Sequence, residues 1–239
     1  MAYFHQRSKR RLFSVLTIKM LHSKMVDFSK YKAVVFDFDG TLYAPAKLGL
    51  KIVFSDLRNA LKAKRERNAR KVLAGQDFGS SSSFYKQFFA IVGEKNRDWY
   101  FNQYLPLMVH ILQSKFVART GAQHLIDGLI SKGMQVGVLS DYPMVAERTE
   151  AIGLNISKQN MWSTENMGAL KPSPRPFIEV AHKLNVEPCE MLVIGDRPET
   201  DGVGAQSAGA DCVIVKTKKN SSCTTFNVLD WDEIVSGIN

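Results

Sequence analysis

Four short apolar runs, at residues 33–36, 135–139, 191–194 and 212–215, are set apart by longer stretches whose apolar residues recur at helical spacing. The runs are too short for buried helices and show little polar alternation. Each therefore predicts a strand buried on both faces. Residues 120–131, 145–152, 174–184 and 200–208 read as amphipathic helices, and a last short helix is predicted near 231–235. Gly133 closes the first of these, and Gly153 is a plausible C-cap for the second. Strands alternating with helices predict a parallel sheet covered on both faces, an α/β fold of Rossmann-like type.

The alternation breaks between Tyr43 and Phe116. Leu50, Val53, Phe54, Leu57, Leu61 and Val72 fall at near-helical spacing within residues 48–73. The segment GQDFGSSSS, 75–83, reads as a linker or turn. Residues 84–92 and 99–116 supply aromatic-rich helical segments, the second bent or restarted at Pro106. The expected organisation is an α/β core at 31–43 and 117–239, a small helical insertion at 44–116, and a basic extension at 1–30. The insertion's aromatics are expected to form its own core.

At 239 residues, 45% hydrophobic and 23% charged, the chain suits one large globular domain or a core with an insert. Three cysteines without metal-ligand spacing fit a reduced compartment, and the expected location is cytoplasmic. No apolar run approaches the length of a membrane span.

The net charge of +9 is unevenly spread. Residues 1–30 hold seven Lys/Arg against one acid, and residues 44–118 hold thirteen against five, so the rest of the chain is acidic. Basicity thus belongs to two appendages, and no nucleic-acid partner is expected. The apolar stretch 12–18 is short, runs into Lys19 and lacks a small-residue cleavage site, unlike a secretory signal. A loosely packed extension, an organellar presequence, a membrane-surface helix and translation from Met25 all remain open.

The candidate chemistry lies at the strand ends. Asp37 and Asp39 close the first run and are followed by Gly40 and Thr41. Two close carboxylates repel unless a cation or a shared proton relieves them. Ser140 and Asp141 follow the second run, and Asp196 follows the third. Parallel strands share a direction, so these groups meet on one rim, where α/β sheets bind ligands. Lys171 sits in a proline-stiffened turn at 168–174, and Asp201 stands at the start of a helix. Singly, Ser140 reads as a helix cap, Lys171 as a solvated cation and Gly195-Asp196 as a turn. Together, the carboxylates and one lysine suit a hard, oxygen-liganded cation such as Mg²⁺ and a phosphate.

In order, the segments VVFDFDGTL, VLSDYP, ALKPSPRP and VIGDRPETD resemble the four motifs of the haloacid dehalogenase-like (HAD) hydrolase superfamily. The resemblance runs from Lys32 to about Val215, with an α-helical cap between the first two motifs. It implies that Asp37 is a nucleophile forming an aspartyl-phosphate, and that Asp39 is the acid for the leaving group and then the base for water. It implies that Ser140 and Lys171 hold phosphoryl oxygens, helped by backbone N–H groups near Gly40 and Ser140. Mg²⁺ would be bound by the carboxylates of Asp37 and Asp196 and the backbone carbonyl of Asp39, with Asp201 supporting it directly or through water.

Asp141 and Tyr142 are candidates for a substrate loop, whereas Arg197 and Glu199 read as local surface contacts. The second carboxylate, Asp39, points away from the family's dehalogenases and phosphonate hydrolases. The cap is too small for an ion-pump domain. A phosphatase acting on a small phosphorylated metabolite is the resulting expectation, with a phosphomutase or a non-catalytic binding protein as alternatives. Lys47 and Lys51, near the hinge, are the cap cations expected to touch substrate. The run from Lys62 to Lys71 is expected mostly to face water. Substrate identity and oligomeric state are not readable from the sequence.

Overall fold

The computed structural model describes residues 25–44 and 59–238. Six parallel strands form one sheet: β1 Ala33–Phe36, β2 Gln135–Ser140, β3 Met161–Ser163, β4 Met191–Gly195, β5 Asp211–Val215 and β6 Asn227–Leu229. Their order is β3-β2-β1-β4-β5-β6, so the chain winds outward from β1 in both directions. The four expected strands form the middle of this sheet, and the expected α/β class holds. The two edge strands were not expected. At three residues each, partly buried, they are too short to show a period.

Alternate residues of the central strands enter opposite cores, as a two-residue repeat requires. Val34, Phe36, Val136, Val138, Leu192 and Ile194 face one side. Ala33, Val35, Leu139 and Val193 face the other, where Phe177, Val180, Ala181 and Ala205 cover them. The covering helices on that side are Arg175–Lys183 and Val203–Ala208. On the first side lie Ala122–Ser131 and Trp231–Ser236.

The insertion contributes helices Ala60–Leu73 and Ser81–Val92, the latter capped by Ser80, whose side chain accepts from Ser83 N. The helix therefore begins inside the segment read as a linker. Next comes a helical run of Arg97–Trp99, a wide turn Tyr100–Tyr104 and Leu105–Lys115. Pro106 lacks the N–H that would continue an α-helical ladder, and just before it Leu105 N–H reaches back to Tyr100 O, an i−5 bond.

The insertion's aromatics do not form a separate core. Phe84, Phe88, Phe89, Trp99, Tyr100 and Tyr104 are buried in the same cluster as Val34 and Phe36 of the sheet. Polar contacts join the two parts as well. Glu165, fully buried in the α/β body, accepts from Tyr100 at 2.8 Å and from Tyr85 at 2.9 Å, and pairs with Arg70. Arg70 also pairs with Glu66 and stacks 3.4 Å above the ring of Tyr142. Within the Lys62–Lys71 run, Lys64, Arg65, Arg67 and Lys71 are exposed, as expected. Two residues depart from this: Arg70 is turned inward by two carboxylates, and Lys62 is half-buried with its ammonium 5.6 Å from the centre of the Trp99 ring.

Residues 1–24, and Lys47 and Lys51, lie outside the described residues. At the near end of the expected extension, Val26 and Phe28 are buried in the core cluster. Residues 26–30 thus pack with the α/β body. Among the described residues, no helix is long and apolar enough to cross a membrane.

Candidate active site

The ladder between β1 and β4 continues one residue past β1, with Asp37 N bonded to Ile194 O at 2.8 Å. That bond delivers the Asp37 side chain to the rim above the sheet. Lys171 Nζ donates to Asp37 Oδ1 at 2.7 Å and to Asp201 Oδ1 at 2.8 Å. Thr41 Oγ1 donates to Asp37 Oδ2 at 3.1 Å. All four of these side chains are buried.

Asp196 follows β4, and Asp201 lies in the wide turn Pro198–Gly202. Arg197 N donates to Asp201 Oδ2 at 3.1 Å. Two glycines make room. A Cβ on Gly40, whose φ is +102°, would fall 2.2 Å from Asp196 Oδ2. A Cβ on Gly195 would fall 2.4 Å from Asp201 Cβ.

Oxygens of Asp37, Asp196 and Asp201 lie within 4.8 Å of one another. Asp196 Oδ1 is buried and has no hydrogen-bond partner. Burial, and then the charge of Asp201, push the Asp37 carboxyl well above its usual range. The same two causes push Asp196 up to about 7. Burial pulls the Lys171 ammonium down, but Asp201 and Asp37 outweigh it and hold the charge. One lysine among three crowded carboxylates leaves a net negative, all-oxygen site with an unused acceptor. Those residues fit a hard divalent cation such as Mg²⁺.

The Asp39 carboxylate is not part of that trio. Tyr43 OH donates to its Oδ1 at 2.6 Å, and Arg148 Nη2 donates to its Oδ2. Ser140 Oγ lies 3.5 Å from Oδ2 and accepts from Arg148 Nη1 at 2.9 Å and from Tyr142 N at 3.3 Å. Burial alone would raise the Asp39 carboxyl. The Arg148 guanidinium and the Tyr43 hydroxyl more than offset it and hold the group below its usual range, charged.

Arg148 is the functional neighbour that the sequence reading missed. It is fully buried on the helix Val145–Ala151, with its guanidinium 4.4 Å above the Phe38 ring. Its position held a clue, because at i+3 from Val145 and i−4 from Ile152 it falls on the apolar face of that helix. Arg119 was also missed. Its Nε and Nη2 donate to Thr41 O and Gly40 O, each at 2.8 Å, and so fix the loop beyond Asp39.

The remaining candidates separate. Asp141, expected in a substrate loop, instead accepts from Thr164 Oγ1 at 2.7 Å and Lys171 N at 3.3 Å, and so anchors the lysine-bearing turn. Tyr142 is covered by Arg70. Arg197 and Glu199 form an exposed pair at 3.1 Å. The structure thus assembles Asp37, Lys171, Asp196 and Asp201 as one group, and Asp39, Ser140 and Arg148 as a second beside it.

A sequence model of haloacid dehalogenase-like hydrolases matches residues 31–209. The chain is 28% identical over 208 residues to a glyceraldehyde 3-phosphate phosphatase of Methanopyrus kandleri, covering 79% of this chain and 85% of that one. It is 30% identical over 97 residues to a phosphoglycolate phosphatase of Rhodospirillum rubrum, covering 40% of each. Among solved structures, a HAD phosphatase from Thermococcus onnurineus superposes with a TM-score of 0.59 at 20% identity. That superposition covers 86% of this chain and 94% of the other, and shares the fold.

Proposed function

Because the chain belongs to the haloacid dehalogenase-like hydrolases, we propose that it is a Mg²⁺-dependent phosphatase that cleaves a small phosphate monoester through an aspartyl-phosphate on Asp37. The observation that carries this reading is the buried Asp37, gripped by Lys171 and Thr41 beside a carboxylate with an unpartnered oxygen. Relatives named as phosphatases support the reaction class. Residues 44–116 are assigned as the cap over this site, and the α/β body as the catalytic core.

An Asp37 carboxylate oxygen attacks phosphorus in line, and the ester P–O bond breaks as the new bond forms. Lys171 Nζ and Ser140 Oγ hold the equatorial phosphoryl oxygens. Ser140 Oγ accepts from Arg148 and Tyr142 N and donates to Asp39 Oδ2 at 3.5 Å, a long bond whose proton it redirects to the phosphoryl oxygen. Asp39, held as a carboxylate, is set to take the proton of the water that hydrolyses the aspartyl-phosphate. Protonating the departing oxygen in the first step requires Asp39 first to leave Arg148 and take up a proton from solvent, which it then gives to that oxygen. Mg²⁺, held by the Asp37 and Asp196 carboxylates and the Asp39 carbonyl with Asp201 in support, would neutralise phosphoryl charge and orient the group.

Phosphate release screened across phosphorylated metabolites tests this reading. Activity should appear with Mg²⁺ and vanish in excess chelator. Full activity in chelator would overturn the metal assignment.

A second test uses stability. At pH below its ordinary value of 3.8, Asp196 is protonated in both folded and unfolded chains and contributes nothing. Between that value and about 7, the unfolded chain has released the proton and the metal-free folded chain has not. The unfolded state then binds fewer protons, so this group lowers stability as pH rises through that window, and the loss is complete above it. Added Mg²⁺ should therefore raise Tm more at pH 8 than at pH 5.5, measured by thermal melts. An equal shift at both values would dissociate the carboxylate trio from cation binding.

A further inference from the structure

A cavity of about 550 Å³ opens over the rim, with Asp39 and Asp196 among its walls. Its far side is built by Arg197 and Glu199 and by the loop after β5, including Lys219 and Asn220. That volume is ample for a small metabolite and much more than a phosphoryl group needs. The loop is fixed to the reaction centre. Asn220 is buried, and its Nδ2 donates to Asp196 O at 2.7 Å and to Val215 O at 3.0 Å. Its Oδ1 accepts from Thr217 N at 2.7 Å, and its own carbonyl accepts from Cys223 N at 2.9 Å. The backbone that carries Lys219 is thus tethered to the backbone that carries Asp196.

Two charges on the cavity wall, Asp196 and Lys219, have no ion-pair partner among the described residues. Asp39 is matched by Arg148, and Arg197 is matched by Glu199. Asp196 belongs to the cation site. Lys219 is exposed and has no acidic partner among the described residues. An ammonium facing a cavity without a counter-charge favours an anionic occupant. In the reaction proposed above, the ester oxygen must depart beside Asp39, so the leaving group extends into this cavity.

We propose that the Thr217–Cys223 loop is the leaving-group subsite, and that Lys219 selects phosphate monoesters whose alcohol carries a second anionic group, a carboxylate. The proposal rests on the phosphatase reading. It assigns discrimination to the α/β body as well as to the cap.

The test compares kcat/KM for 3-phosphoglycerate and glycerol 3-phosphate in the full-length, Mg²⁺-loaded protein. The two share a phosphorylated three-carbon chain and differ by a carboxylate in place of a hydroxymethyl group. The wild type should prefer the carboxylate by about tenfold, the scale of one charge-assisted contact. Lys219→Gln should bring the ratio close to one, Lys219→Arg should keep most of it, and Lys218→Gln, on the neighbouring exposed lysine, should leave it intact. The proposal is overturned if the wild type shows no preference, if Lys219→Gln keeps it, or if Lys218→Gln removes it equally. With p-nitrophenyl phosphate as a third substrate the two readings separate. Release from it without anion preference defeats only the subsite, whereas no release from any of the three defeats the phosphatase reading and the subsite with it.

Discussion

Asp37→Asn is expected to lower kcat by about four orders of magnitude or more while the protein stays folded. The amide is nearly isosteric, but its oxygen is a far weaker nucleophile and cannot form the acyl phosphate. Packing should survive, because the change removes a charge that its surroundings disfavour. Burial and the Asp201 charge already push this carboxyl toward its neutral form. Lys171 keeps Asp201 as its counter-ion at 2.8 Å. The metal-free Tm at pH 8 should therefore match or exceed that of the wild type. Steady-state kinetics and a melt read both halves. A variant that keeps more than about a hundredth of the wild-type kcat would remove Asp37 as the nucleophile.

The second large effect is expected at Arg148. Its guanidinium is fully buried and serves Asp39 and Ser140 together. Arg148→Met keeps most of the apolar stem that packs near Phe38, but it strands the Asp39 charge. Breaking a fully buried pair from one side costs about 3–5 kcal/mol; the Asp39 side chain is 31% exposed and keeps its Tyr43 bond, which brings the expected cost to roughly 2–3 kcal/mol. In a chain of this size that corresponds to a Tm loss of roughly 4–12 °C. Most of that cost is the uncompensated carboxylate rather than the lost attraction. Adding Asp39→Asn to Arg148→Met should accordingly recover about 1 kcal/mol or more, so that the two changes are non-additive. Denaturant unfolding of the four proteins measures this directly. Strict additivity, or a loss below about 1 kcal/mol for Arg148→Met, would mean that the pair is not a structural clamp.

The same clamp shows where sequence reasoning reached its limit. The four central strands were legible because a strand buried on both faces must be written as a continuous apolar run. Their end residues were legible as well. Once strands run parallel, Asp37, Ser140 and Asp196 must share a rim whatever the details of packing. The glycine and lysine turns between them carried further local signal. By contrast, β3 and β6 are three residues long and are defined by their neighbours rather than by a pattern of their own.

What the sequence determined by itself was therefore the α/β order of elements and the strand ends at which Asp37, Ser140 and Asp196 meet. All of these follow from residue spacing within a few turns or strands, where backbone geometry fixes which side chains share a face. Only the tertiary structure decided the partners. Arg148 meets Asp39 across 109 residues, Arg70 meets Glu165 across 95, and Lys171 meets Asp37 across 134. It also gave Asp141, a substrate-loop candidate, the role of an anchor for Lys171, and set Lys219 beside a cavity walled by Asp39 and Asp196. A buried charge takes whichever opposite charge the packing brings within reach. That choice depends on the placement of whole helices and loops, which no local spacing encodes.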